Sequence, residues 1–271
     1  MHFGSLVQTS LPSYQMIEVE GISKVFKKAE SNKQKIYRTA PKTTFHAVNK
    51  VSFTCHPGRI YTLLGPNGAG KTTALRIIAS MLKPSEGTVR VAGIDTTKDA
   101  RKARAKLGFL TGSTGLYDRL TPRETLKYFG ELHQVDASQI KTRMNELIDR
   151  LAIGEFADRR VGKLSTGQKQ RVSIARTLMH DPEVIIFDEP TTGLDVLTSR
   201  TIINWIRECK NVGKTVIFST HIMGEVSLLS DDLGVIHNGK LCYNDSFENF
   251  KSKFGKHTLE DAFISILEDA E

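Results

Sequence analysis

The chain is short of cysteine and has no long apolar run, and each shortage excludes something. Its three cysteines, Cys55, Cys209 and Cys242, are scattered, odd in number and in no metal-ligand spacing. That argues against a disulfide framework or a zinc site and for reduced thiols. No apolar stretch approaches the roughly 18 residues that a membrane span needs. The opening MHFGSLVQTSLPSYQ has no basic start followed by an apolar block, so no secretory leader is expected and the chain is expected to stay in the cytosol. Acidic residues are scarce in one place. Between Lys24 and Lys50 eight Lys or Arg stand against one acid, Glu30, and this stretch carries most of the net charge of +8. A basic balance can signal nucleic acid, but here it sits in one polar segment, KKAESNKQKIYRTAPKTT, and not across a face with stacking aromatics. A solvated loop accounts for it, with contact to an anionic membrane surface as the functional alternative. No nucleic-acid partner is expected.

What is present is ordinary for a globular chain of 271 residues: 39% hydrophobic and 25% charged. A sizeable core is within reach, as one large domain or two lobes. Residues 1–15 read as a loose tail and 16–271 as one unit, with a basic insertion at about 27–45. MIEVEGISKVF and AVNKVSFTCHPG read as strands on either side of that insertion, and PSEGTVRVAGID as turn, strand, turn. RIYTLLG is a short apolar run before a Gly-rich turn. In TTALRIIASMLK the residues Ala74, Leu75, Ile77, Ile78, Met81 and Leu82 fall at helical spacing. From about 113 to 163 the pattern turns helical, in RETLKYFGELHQV and SQIKTRMNELIDRLAI, with no strand between. VIIFDEP and TVIFSTH are two strand-like runs around the helical SRTIINWIRECKN. LGVIHNGKLCYND reads as a hairpin and TLEDAFISILED as a closing amphipathic helix. Alternating strands and helices around one helical block predict an α/β fold with a mainly parallel core sheet and an inserted helical subdomain.

Two segments carry chemistry. Gly65-Pro66-Asn67-Gly68-Ala69-Gly70-Lys71-Thr72-Thr73 fits G-x-x-x-x-G-K-[ST] and lies between a strand and a helix. Glycines let backbone N–H groups close around phosphates, and the helix N-terminus adds partial positive charge. Lys71 supplies a point charge to the β- and γ-phosphates, and the Thr72 hydroxyl can ligate Mg²⁺. A Gly-rich turn with a chance lysine is the bland alternative, and the flanking strand and helix leave it little room. Val184-Ile-Ile-Phe-Asp188-Glu189-Pro190 is an apolar strand whose carboxylates emerge at the C-terminal end, where open α/β sheets bind ligands. Asp188 suits Mg²⁺, and Glu189 suits polarising the water that attacks the γ-phosphate. Alone, the pair is an exposed acidic strand end; with the phosphate loop it is a site.

Between these segments Leu164-Ser165-Thr166-Gly167-Gln168 resembles the signature of ABC ATPases. Pro190-Thr-Thr-Gly193-Leu194-Asp195 resembles their D-loop, and Ser219-Thr-His221 the switch histidine. The motif order and spacing match from residue 16 onward. The resemblance implies the P-loop ABC ATPase fold with an antiparallel β subdomain. It also implies a head-to-tail pair, with a second copy or a paralogue, around two ATP molecules. Each nucleotide would lie on one chain's phosphate loop under Ser165 and Gly167 of the other, with Gln168 and Asp195 at the same contact. A helix N-terminus near Ser165 suits an anion. The resemblance gives His221 a γ-phosphate contact and Phe26 the adenine-stacking position, though Phe26 reads equally well as a core residue.

Two positions depart from the pattern. Thr166 stands where Gly is usual. Gly112 stands where a glutamine normally touches Mg²⁺ or the attacking water, and Thr111, Ser113, Thr114 or a water is expected to supply that oxygen contact. Thr258-Leu-Glu-Asp-Ala-Phe263 resembles the closing helix of ABC-2 exporter motors, and TGSTGLYDRLTPRETLKYFG most resembles the NatA, sodium-extruding, group. The implied role is an ATPase motor on the inner face of the cell membrane, driving a separate integral membrane permease through a groove near Thr114–Arg143. Two other readings remain at this stage: a soluble ABC ATPase acting on ribosomes or nucleic acid, and a subunit that binds ATP without hydrolysing it.

Overall fold

A computed structural model describes residues 15–27, 44–111, 115–255 and 257–270. The two strands expected around the basic insertion pair antiparallel, as β1 (Ile17–Lys27) and β2 (Thr44–Cys55). β1 also pairs with β4 (Glu86–Val91), which in turn pairs with the two-residue β5 (Ile94–Asp95), giving a four-stranded sheet in the order β2-β1-β4-β5. β1, β2 and β4 each bury alternate positions over part of their length, so alternation was visible in the sequence.

The larger sheet has six strands in the order β10-β9-β3-β8-β7-β6. They are β3 (Ile60–Leu64), β6 (Leu107–Leu110), β7 (Val184–Asp188), β8 (Thr215–Thr220), β9 (Asp232–His237) and β10 (Lys240–Ser246). All pairings are parallel except β9 with β10. Every residue of β3, β7 and β8 is buried, because the sheet is packed on both faces; that is why these strands read as unbroken apolar runs. One face shares a core with the smaller sheet and with α1 (Lys71–Ile78), through Tyr61, Leu63, Ile186 and Ile217 against Ile17, Phe53 and Leu75. Phe53 stacks on Tyr61 with ring centroids 4.4 Å apart. The other face packs Ile185, Phe187, Val216 and Phe218 against α5 (Thr166–Leu178) and α6 (Val196–Asn211).

The inserted helical block forms as α3 (Pro122–Leu132) and α4 (Ala137–Arg150). Thr121 caps α3 in a reciprocal box with Glu124, and Pro122 fills the first turn, where no N–H is needed. Leu126, Ile140, Leu147 and Ile148 turn inward to the same core as α5. After the β9–β10 hairpin, α8 (Phe247–Phe254) and α9 (Leu259–Glu268) close a third core around Val235, Phe250 and Ile266. Among the described residues no helix is long and apolar enough to cross a membrane.

The phosphate-loop helix is shorter than its apolar spacing predicts. α1 ends at Ile78, and Met81, expected on its buried face, is 63% exposed. Ser80 takes a left-handed φ of 58°, Ser80 N–H donates to Ile77 O, and Met81 N–H donates to Arg76 O. This paired closure satisfies the last helical carbonyls and turns the chain out of the helix. Among the described residues, α2 (Ala100–Ala105), β6, α7 (Met223–Leu229) and α8 had no clear sequence signal, and β5 stands where a turn was expected. The tail and most of the basic insertion lie outside the described residues, as do Gly112, Ser113 and Thr114.

Candidate nucleotide site

The central strands bring the two chemical segments together. β3 pairs with β8 and β8 with β7, in registers that set Leu64 beside Thr220 and Asp188 beside Ser219. The phosphate loop after β3, the carboxylates ending β7 and the Ser219–His221 segment ending β8 therefore meet at one edge of the sheet. Gly70, at φ 109°, turns the loop into α1, and a Cβ there would lie 2.3 Å from the Ala47 carbonyl oxygen. The first N–H groups of α1 have no preceding helical carbonyl to reach, and Lys71, Thr72 and Thr73 of that turn line the cleft described below.

Lys71 is 96% buried, at 4% exposure, and its ammonium is bound on three sides. It donates to the carbonyls of Gly65 at 2.7 Å and Pro66 at 3.1 Å and pairs with Glu189 Oε1 at 3.0 Å. Burial works against ionisation of Glu189, but the Lys71 and His221 partners outweigh it and hold the carboxyl below its ordinary range. His221 Nδ1 lies 3.4 Å from the same oxygen, and the Thr192 hydroxyl donates to Oε2 at 3.2 Å. Glu189 itself adopts a left-handed φ of 50°, and its N–H donates to both the carbonyl and the hydroxyl of Ser219. Asp188 is fixed by two hydroxyls on Oδ1, Ser219 at 2.8 Å and Thr72 at 3.1 Å. Carboxylate and hydroxyl oxygens side by side form the hard donor set that suits Mg²⁺.

Lys71, Thr72, Asp188, Glu189 and Thr192 open onto a cleft of about 890 Å³, while His221 and Ser219 lie behind Glu189 and do not line it. Phe26, the residues from Asn67 to Thr73, Asp188 and Glu189 all line it, with Gly65 and Pro66 beneath as acceptors for Lys71. Thr111 lines it too, whereas Ser113 and Thr114 lie outside the described residues. Ser165, Gly167, Gln168 and Asp195 do not line it. Ser165 and Gln168 form a reciprocal capping box at the start of α5, while Thr166 and Gln170 reach the cleft edge. Asp195 caps α6, accepting from Thr198 N–H at 2.9 Å and from its hydroxyl at 2.7 Å.

Several contributors had no usable signal in sequence. Phe45 faces Phe26 across the β1–β2 ladder, ring centroids 5.8 Å apart, although the two residues lie on opposite sides of the basic insertion. His46, Ala47, Asn238 and Gly239 complete that wall. Ser219 stood in a recognised motif, yet its grip on both carboxylate residues follows only from strand register.

Comparison with known proteins is consistent in kind. The family described as "ABC transporter" matches residues 48–192. The ABC transporter ATP-binding protein NatA of Bacillus subtilis (strain 168) is 44% identical over 227 residues, which is 83% of this chain and 92% of NatA. The linearmycin resistance ATP-binding protein LnrL of the same organism is 32% identical over 223 residues, 82% of this chain and 72% of LnrL. A dimeric ATP-binding cassette solved in a post-hydrolysis state with ADP and Pi superposes with a TM-score of 0.75 at 26% identity, covering 85% of this chain and 98% of that one.

Proposed function

Because the chain belongs to the ABC transporter family of ATP-binding, ATP-hydrolysing subunits, we propose that it is the motor of an exporter and drives a separate integral membrane permease, with sodium efflux as its transport role. The observation that carries the motor reading is the junction of Lys71, Asp188, Glu189 and Ser219 at one sheet edge. An exposed acidic strand end would not place a buried lysine on the second carboxylate.

In this reading ATP enters the cleft with its phosphates on the N–H groups from Gly68 to Thr73. The Lys71 ammonium transfers from the Gly65 and Pro66 carbonyls to the β- and γ-phosphates. Thr72 and Asp188 would hold Mg²⁺, which supplies charge neutralisation between the phosphates when bound. Glu189 is ionised at neutral pH and orients the attacking water, and His221 contacts the γ-phosphate from the other side of that carboxylate. Thr111, at the cleft wall, stands where it can provide an oxygen contact in place of the glutamine that Gly112 lacks. Phe26 supplies the stacking face for adenine.

Ser165, Gly167, Gln168 and Asp195 fall outside the cleft of their own chain, which suits a head-to-tail pair in which they close over the partner's nucleotide. The working location is then the inner face of the cell membrane, and the choice of sodium rests on the resemblance of the segment TGSTGLYDRLTPRETLKYFG to the sodium-extruding group.

Affinity capture of the tagged chain from detergent-solubilised membranes tests the proposal. A multi-span membrane protein at about one permease assembly per two motors supports it, and ATP-dependent sodium flux in vesicles then tests the cargo. Ribosomal or DNA-bound proteins without a membrane partner would overturn it. Lys71→Ala should abolish tight nucleotide binding in the same preparation.

A further inference from the structure

Glu225 is a carboxylate that the proposed chemistry does not use, yet it is only 5% exposed. It sits in the first turn of α7, just past the switch histidine. The Thr191 hydroxyl donates to its Oε1 in a very short contact, and the Thr220 hydroxyl donates to its Oε2 at 2.5 Å. Thr220 Oγ1 meanwhile accepts from the Ile222 N–H at 3.0 Å, so its single proton is committed to Glu225. Thr191 and Thr220 are 4% and 1% exposed, and water does not compete for these bonds.

The two threonines lie next to the reacting groups. Thr191 comes two residues after Glu189, and Thr220 immediately precedes His221. Glu189 occupies a left-handed conformation that a side-chain-bearing residue holds only when its surroundings over-determine it. On its N-terminal side Ser219 provides that restraint through two bonds to the Glu189 N–H. On its C-terminal side the chain is anchored by Thr191 to Glu225. The same carboxylate anchors the backbone leading into His221, which lies 3.4 Å from Glu189.

We propose that Glu225 is a positioning residue: it clamps the segments after β7 and β8 together, and so sets Glu189 and His221 at their working separation. The inference rests on ATP hydrolysis at this site. It makes no contact with nucleotide necessary, so its effect belongs to turnover and not to binding.

The test compares the purified full chain with Glu225→Ala, Glu225→Gln and Thr191→Val, measuring kcat and KM for ATP, equilibrium binding of a fluorescent ATP analogue, and Tm. Misplacing a reacting group by about an ångström can cost on the order of a hundredfold. Glu225→Ala should therefore lose at least about tenfold in kcat with ATP affinity within about twofold of the wild type. Glu225→Gln, which keeps the shape and one acceptor, should recover much of that loss. The near-isosteric Thr191→Val retains the fold and removes one bond, so it should show a smaller fall in kcat alone. A wild-type kcat in Glu225→Ala, or in Thr191→Val if the alanine variant does not fold, overturns the proposal. So does a fall in kcat matched by equal losses of affinity and Tm. A wild-type chain with no ATPase activity at all is a different result, and it removes the underlying reading instead.

Discussion

At the scale of single residues, geometry separates positions that sequence treats alike. Gly68 and Gly70 both belong to the phosphate loop and both have positive φ, at 80° and 109°. A Cβ on Gly68 meets nothing within 4 Å, whereas one on Gly70 runs into the Ala47 carbonyl. Gly70→Ala should thus combine backbone strain of about 1–3 kcal/mol with displacement of β2, lowering Tm and weakening ATP binding by at least about tenfold. Gly68→Ala should show the strain alone, and equal Tm values for the two would contradict the close approach. His180 shows a residue effect on pH. Its ring stacks on His133 at 4.0 Å and its Nε2 meets Leu107 O at 3.1 Å. Burial, and then the neighbouring His133, bring its pKa down to about 4. The unfolded chain takes up that proton near pH 6.5 while the folded chain refuses it, so stability falls as pH drops from about 6.5 toward 4. Urea unfolding should lose up to about 2 kcal/mol from this group between about pH 6.5 and 5, and His180→Asn should show a shallower slope.

At the scale of elements, the helix caps make a sharper test than the helices. Thr121 opens α3 and Ser165 opens α5, each in a reciprocal box with the residue three positions on, Glu124 and Gln168. Alanine at either cap should cost about 1 kcal/mol of stability. Only Ser165→Ala should also reduce ATPase turnover, because only α5 would present its N-terminus to a partner's nucleotide. Equal turnover in the two variants would make Ser165 a structural cap and nothing more. Elements also mark where sequence reading stops. The buried runs of β3, β7 and β8 were plain because both sheet faces are covered. The four-residue β6 lay hidden in LGFL, too short for any period to develop. The apolar spacing of α1 ran on through Met81 and Leu82, but Ser80 entered the left-handed region and the closing hydrogen bonds ended the helix first.

At the scale of the whole molecule, the proposed nucleotide sandwich divides its parts within each chain: Lys71 and Glu189 line the cleft, and Ser165 and Gly167 lie away from it. In the proposed mechanism Glu189→Gln keeps the phosphate contacts and removes the carboxylate that orients the attacking water, so it should bind ATP and run as a dimer in size exclusion with ATP, and as a monomer without it. A monomer at saturating ATP would count against the sandwich. The sequence alone determined the phosphate loop, the carboxylates ending β7, a helix start near Ser165 and the order of the longer strands and helices. Those depend on neighbours within a few residues or on one period, and so they survive in a one-dimensional reading. Only the tertiary structure decided that Phe45 faces Phe26, that Ser219 holds both carboxylate residues, and that Glu225 joins Thr191 to Thr220. Each of those contacts crosses between strands or helices whose relative register is set by packing in the core, and no local pattern records it.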